Sequence, residues 1–252
     1  MMAVEQNAEK LVRSQSVAIS GFFGVEVPKP DDWLFAAAEK IRQEKLFKAA
    51  PFYLPRRQLA EGANFPGLKS PLNPWLYDQM RAKTVDQDAD WLPGEWILFD
   101  VTERPNYNDG KQMYPDMPRF KEMLANLRDQ GQVEVPDSYK HVPKDSRFAI
   151  SPDEIDGSKA VVAKAVAGIL DLTAEQMTTP PYATLNYIGN LAHLELGQVT
   201  TSEWLRNKFG RWGRLHGGHS DEGGLSHVHY WSSNGRFGLI GFRLQVSSPS
   251  RA

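Results

Sequence analysis

The sequence predicts an α+β protein. Three observations carry this: helical stretches through the first two thirds, one apolar strand run "GEWILFDVT" among them, and a change of character after Pro180 and Pro181. From there the chain runs in short apolar or alternating segments punctuated by glycine pairs, as strands and tight turns do. The architecture expected is two or more helices packed on a sheet whose last strands come from the C-terminus.

Each element follows from local signals. "PDDWLFAAAEKIRQEKLFKAAP" begins with an N-cap residue, Asp31 or Asp32, carries Leu34, Ala37, Ala38, Ile41, Leu46 and Phe47 at near-helical spacing, and is stopped by Pro51. From Pro51 to Pro93, Pro, Gly, Asn and Trp predominate, which suits a long packed irregular segment because its aromatics need burial; a short helix fits "PWLYDQMRAKTV". "GEWILFDVT" reads as a central strand buried on both faces. "MPRFKEMLANLRDQG" has Pro118 near its start, Phe120, Met123, Leu124 and Leu127 on one face and Gly131 as a C-cap. "ISPDEIDGSKAVVAKAVAGILDLT" repeats that logic with Ser151 as cap, Pro152 in the first turn and Gly157 as a break. "ATLNYIGNLAHLELG", "TSEWLRNKFG" and the closing block read as strand-like. This gives an N-terminal helical and irregular segment, 1–92, packed on a second unit, 93–252.

Composition removes several function classes. The 252 residues are 41% hydrophobic and 24% charged, ordinary for a chain that folds by burial. With 29 Lys plus Arg against 31 Asp plus Glu, no excess of positive charge draws the surface to a phosphate backbone, so nucleic acid is not an expected partner. The chain has no cysteine, which excludes disulfides, thiolate metal sites and cysteine nucleophiles together. "MMAVEQNAEKLVRSQSVAIS" mixes charges through what a signal peptide would need as an apolar core, and no stretch approaches the roughly 18 residues of a membrane span. Synthesis in the cytoplasm without membrane insertion is expected, and a virion or cell-surface location is compatible with it.

The chemistry concentrates in "RLHGGHSDEGGLSHVHYWSSNGRFGLIGFRLQV", residues 214–246, which holds four of the six histidines. A metal site is one reading. His227 and His229 sit two apart, so on a strand both imidazoles share a face, and His216 with His219 or Asp221 completes a ligand set for a metal-dependent enzyme using His216, His227 and His229. Against it, no carboxylate follows in "YWSSNGRFG", and only Asp221 and Glu222 are at hand to fix the imidazole tautomers. Ser220, Ser226, Ser232 and Ser233 lack the elbow of a nucleophilic serine, and "GGHSDEGG" lacks the lysine of a phosphate loop. Glycines for tight turns with ordinary histidines between them explain Gly217, Gly218, Gly223 and Gly224, but not the density of His, Tyr, Trp, Arg and Asn, residues that favour binding surfaces.

This block, preceded by "TSEWLRNKFGRW", resembles the C-terminal region of the formylglycine-generating-enzyme-like branch of the C-type lectin fold, which closes on a GG pair, a variable stretch and a G-F-R strand. Within that branch it is most similar to the variable proteins of diversity-generating retroelements, in particular those of archaea, their viruses and small uncultured bacteria. The likeness spans about residues 185–246, is weaker for "ILFDVTERPNYNDGKQMYP" and "VPKDSRFAISPDE", and says nothing of residues 1–90.

The resemblance implies a C-type lectin-like α+β fold with an N-terminal helical or irregular extension, and a binding protein whose exposed codons near the 3′ end are rewritten by a reverse transcriptase that errs at template adenines. Leu215, Leu225, Val228, Ile240, Phe242 and Leu244 are then core, Gly217, Gly218, Gly223, Gly224 and Gly241 shape the backbone, and Arg243 holds a structural pair. With Val228 inward, His227 and His229 point outward. The expected ligand-binding face, in a variable region of about 206–243, is Trp212, Arg214, His216, His219, Asp221, His227, His229, Tyr230, Asn234, Arg236, Phe237 and Leu239. Adenine-directed changes to Asn-type codons reach His, Tyr, Asp, Phe, Leu, Ser, Gly and Arg but not Trp or Glu, so Trp212, Glu222 and Trp231 belong to the scaffold or a fixed rim. No cofactor is implied, and no carboxylate-rich calcium loop is present. The active-site cysteines of formylglycine generation are missing, and the N-terminal third has no histidine to serve as in the iron-dependent sulfur-inserting relatives, so no enzyme activity is expected. The partner is a protein or surface ligand that differs between clones, and its binding is expected to change as exposed histidines charge at low pH.

Overall fold

A computed structural model describes residues 2–63 and 67–248, and their side chains apart from 2–8 and 11. Positions 64–66 of the expected irregular segment lie outside the described residues. In chain order the elements are α1 (Met2–Phe23), α2 (Asp32–Gln43), β1 (Ala49–Leu54), β2 (Arg57–Gln58), α3 (Pro74–Arg81), β3 (Trp91–Leu92), β4 (Glu95–Asp100), α4 (Pro118–Asp129), α5 (Pro152–Ile155), α6 (Val161–Leu170), β5 (Met177–Thr178), α7 (Tyr182–Ala192), β6 (Ser202–Phe209), β7 (Gly213–Gly217), β8 (Val228–Ser232), β9 (Ile240–Gly241) and β10 (Gln245–Val246). The chain is mixed α+β, as the sequence predicts.

One sheet has the order β1-β4-β10-β5, and β4 lies inside it. Alternation along β4 sends Trp96 and Leu98 into an apolar cluster with α2, α4 and α6, and Ile97 and Phe99 into a second cluster with α3 and α7. This is the two-sided burial that "WILF" implies. A second sheet, β8-β7-β6-β9, has β7 antiparallel to both β6 and β8, with β9 parallel to β6. β2 and β3 form a separate pair. Helices α3, α4 and α5 start at prolines, and the Ser151–Glu154 capping box is present.

Two expectations needed correction. The helix read up to Pro51 ends at Gln43; Lys45 turns the chain in the left-handed region, and Ala49–Leu54 pairs antiparallel with β4, where residues 51–54 are buried. "ATLNYIGNLA" is the helix α7, buried at every position from Tyr182 to Asn190. A helix covered on all sides has no polar face to set a 3.6-residue period, so its text cannot be told from that of strands. Helix α1 was not foreseen. The first third thus supplies β1 to the same sheet as β4 and β10. Among the described residues no helix is long and apolar enough to cross a membrane.

Candidate functional site

The site stands on a buried polar frame. Glu203 on β6 accepts from Arg243 Nε at 2.7 Å and Nη2 at 2.8 Å and from the Tyr114 hydroxyl at 2.6 Å, all of them buried. Burial alone would raise this carboxyl, but Arg243 and Arg104 hold it down at about 2, so it stays ionised. Arg104 donates to the carbonyls of Leu196, Gly217 and Gly218, locking the turn that leaves β7. A Cβ on Gly217 would lie 2.4 Å from the His227 carbonyl oxygen, and Gly218 has φ +90°, so glycine is required at one for close approach and at the other for backbone conformation. Leu215, Leu225, Val228, Ile240, Phe242 and Leu244 are all buried.

On this frame β8 runs as an edge strand, in register with β7 as Arg214 with Trp231, Leu215 with Tyr230, His216 with His229 and Gly217 with Val228. Val228 is buried, whereas His229, Tyr230, Trp231 and Ser232 are all exposed. Tyr230 stacks on Phe209 at 3.6 Å between ring centres, and Trp75 and His229 lie within 7° of parallel to each other beside that pair. Trp231 packs on Phe237 at 5.0 Å, and Trp212, 69% exposed, lies under the Arg211 guanidinium at 4.7 Å. Asp221, Asn234 and Leu239 are exposed as well, and His219 and Phe237 are half-buried.

Four members of the expected face are not free on it. Arg214 is buried, donating to the Leu205 carbonyl at 2.7 Å and to Asp156; the segment around α5 covers this side of β7. His216, on the same side, is 5% exposed and packs edge-on against Trp204. His227 precedes β8, extended after the tight turn Gly224–Ser226, so strand alternation does not govern it. It is buried, its Nδ1 accepts the His219 amide at 3.2 Å, and its Nε2 lies 2.6 Å from Glu222. Arg236 is half-buried and tied to Glu154 at 2.6 Å and Glu134 at 3.0 Å. The expectation of outward imidazoles therefore holds for His229 and partly for His219, but not for His216 and His227.

No family model, curated protein or solved structure matches this chain.

The electrostatics separate the four histidines further. Burial, then the neighbouring imidazoles, brings His216 down to about 3; burial brings His227 down to about 4 despite Glu222. Both are neutral at physiological pH. The ring of His216 lies 5.6 Å from that of His227 and 6.0 Å from that of His229, and neither of its nitrogens has a hydrogen-bond partner. Among the described residues, no group of three or more His, Asp or Glu is placed to hold a metal ion. What the arrangement offers a partner is aromatic area with hydrogen-bonding tips, carried on one edge strand and the turns at its ends. Trp75 and Phe209 belong to this surface and were not named for it: Phe209 lies within the expected variable region, whereas Trp75 joins only through packing, from a helix distant in sequence.

Proposed function

We propose that this chain is a ligand-binding protein of the diversity-generating-retroelement kind, on a C-type-lectin-like scaffold, whose contact surface is the β8 edge with the turns around it. One contrast carries the reading: Arg214–Gly217 on β7 is buried throughout, while the strand paired with it is exposed from His229 to Ser232. This is the arrangement expected of a fixed layer beside an exchangeable one. Tyr230, Trp231 and Trp212 supply large contact area at little entropic cost, and the buried frame limits the ordering needed on binding. The positions open to exchange are His219, Asp221, His229, Tyr230, Asn234 and Leu239, whereas Arg214, His216, His227 and Arg236 belong to the frame.

The experiment is to sequence the DNA beside the gene. The reading expects a near-duplicate of the segment encoding residues 206–243, differing at adenines in codons of the exposed set, next to a reverse transcriptase. A neighbourhood without such a repeat, in a complete genome, contradicts it.

The alternative reading, a metal-dependent enzyme using His216, His227 and His229, draws on the two unpartnered nitrogens of His216, although the three rings are not placed to hold an ion together in this structure. Metal analysis of the purified protein decides it. Stoichiometric zinc or iron, lost in His229→Ala, supports an ion at this cluster; metal-free protein rejects it.

A further inference from the structure

A cleft of about 950 Å³ opens between the two larger sheets, bordered by β4, β5, β10, β6 and the start of α7. None of the exposed residues of the β8 face lines it; of the expected variable set only Arg214 reaches it, fixed there on Asp156. Its volume is that of a small-molecule site.

Three polar side chains from three elements border this cleft with a buried atom that has no hydrogen-bond partner: Gln245 Oε1 on β10, Thr178 Oγ1 on β5 and Thr184 Oγ1 on α7. Gln245 is 3% exposed and Thr184 fully buried, and Gln245 faces Thr178 directly across the β10–β5 pair. A buried polar atom left unpaired loses its hydration without a replacement, so three along one cleft call for an occupant that pairs with them. Threonine hydroxyls and glutamine carboxamides turn about side-chain bonds, and it is by such a turn that these three would meet a molecule seated there.

The charges bordering the cleft narrow the occupant's class. Arg56, Arg206 and Lys208 line it with no ion pair among the described residues, and so do Asp86, Asp88, Glu95 and Glu175, with Glu95 near enough to Arg206 to feel its charge. A ligand with a single sign of charge is drawn by one set and repelled by the other, and an uncharged one gains from neither. A molecule carrying both signs gains from both. We infer that the cleft is a binding site for a small zwitterion of the α-amino-acid class. Its carboxylate is met by Arg206 and Lys208, its ammonium group by Glu95 and the Gln245 carbonyl, and the two threonines satisfy the remaining lone pairs and protons.

The test is calorimetric titration of the full chain with free α-amino acids one at a time, beside glucose, inorganic phosphate and the N-acetyl and primary-amide forms of any amino acid that binds. At least one free amino acid is expected to saturate below about 10 mM, with each capped form at least about tenfold weaker. Arg206→Ala, at an exposed position, and Gln245→Leu are each expected to weaken it about tenfold, while Trp231→Ala leaves it unchanged. The inference is overturned if no free amino acid saturates, if phosphate, glucose or the capped forms bind as tightly, or if Arg206→Ala has no effect. These outcomes leave the β8 proposal untouched, since that rests on a different surface.

Discussion

Arg243 meets Glu203 through two parallel hydrogen bonds, 2.7 and 2.8 Å, with both side chains entirely buried between the sheets. This pair joins β6 to the segment that follows β9, and through Tyr114 and Arg104 it reaches the turns that shape the site. Removing one member leaves a charge in the interior without its partner. Glu203→Gln and Arg243→Leu are each expected to cost about 3 to 5 kcal/mol in urea denaturation. Arg243→Lys is expected to recover little, because an ammonium group cannot supply the fork.

Acid should weaken the fold through the same imidazoles that the sequence placed at the surface. His216 and His227 titrate in the folded chain at about 3 and about 4, below the ordinary imidazole value, because burial disfavours their charged forms. The unfolded chain therefore binds more protons below about pH 6.5, and stability falls as pH drops from there toward the folded values. Each histidine contributes up to about 1.4 kcal/mol per pH unit. Urea midpoints measured from pH 7.5 to 4.5 should drop accordingly, and His216→Phe should flatten the profile.

The exposed and half-structural members of the face should separate on substitution. His229→Ser, Asn234→Ser and Leu239→Ser are expected to change stability by no more than about 0.5 kcal/mol. Tyr230→Ser removes a ring stacked on Phe209, so about 1 kcal/mol more is expected. Leu215→Ala and Leu225→Ala, both buried, should cost about 2 to 5 kcal/mol. Thermal melts of the six variants check this ordering.

Two glycines should fail for different reasons. Gly217→Ala drives a methyl into the His227 carbonyl oxygen and is expected to cost about 1 to 3 kcal/mol. Gly223 has φ +119° but no atom nearer than 3.7 Å to a built Cβ, so Gly223→Ala should cost only the backbone term, about 1 kcal/mol. Denaturation of the two single variants distinguishes crowding from strain.

The sequence disclosed those parts of the fold whose burial is one-sided or marked by caps. Helices α2, α4 and α5 follow from Asp, Pro or Ser at their starts, α6 from its apolar period beyond the break at Gly157, and β4 from an unbroken apolar run. Helix α7 was opaque because it is buried all round, and β1 because its pairing with β4 is a long-range event that "KAAPFYL" does not encode locally. At the site the frame was legible: Arg243 does hold a pair, and Leu215, Leu225, Val228, Ile240, Phe242 and Leu244 are core. The orientation of single side chains was not. Arg214 is covered by the segment that follows α5, distant in sequence, His216 packs on Trp204 of β6, and His227 lies one residue before strand alternation begins.

The separation of a fixed frame from an exchangeable edge is tested most directly by a library randomised one codon at a time over residues 206–243, sorted for folded protein on a cell surface and sequenced. Asp221, His229, Asn234 and Leu239 should accept nearly every residue, while Arg214, Leu215, His216, Gly217, Leu225, His227 and Val228 reject nearly all. If His229, Asn234 and Leu239 prove as intolerant as Leu215 and Val228, the β8 edge is part of the scaffold and the account of this surface as a display face is contradicted.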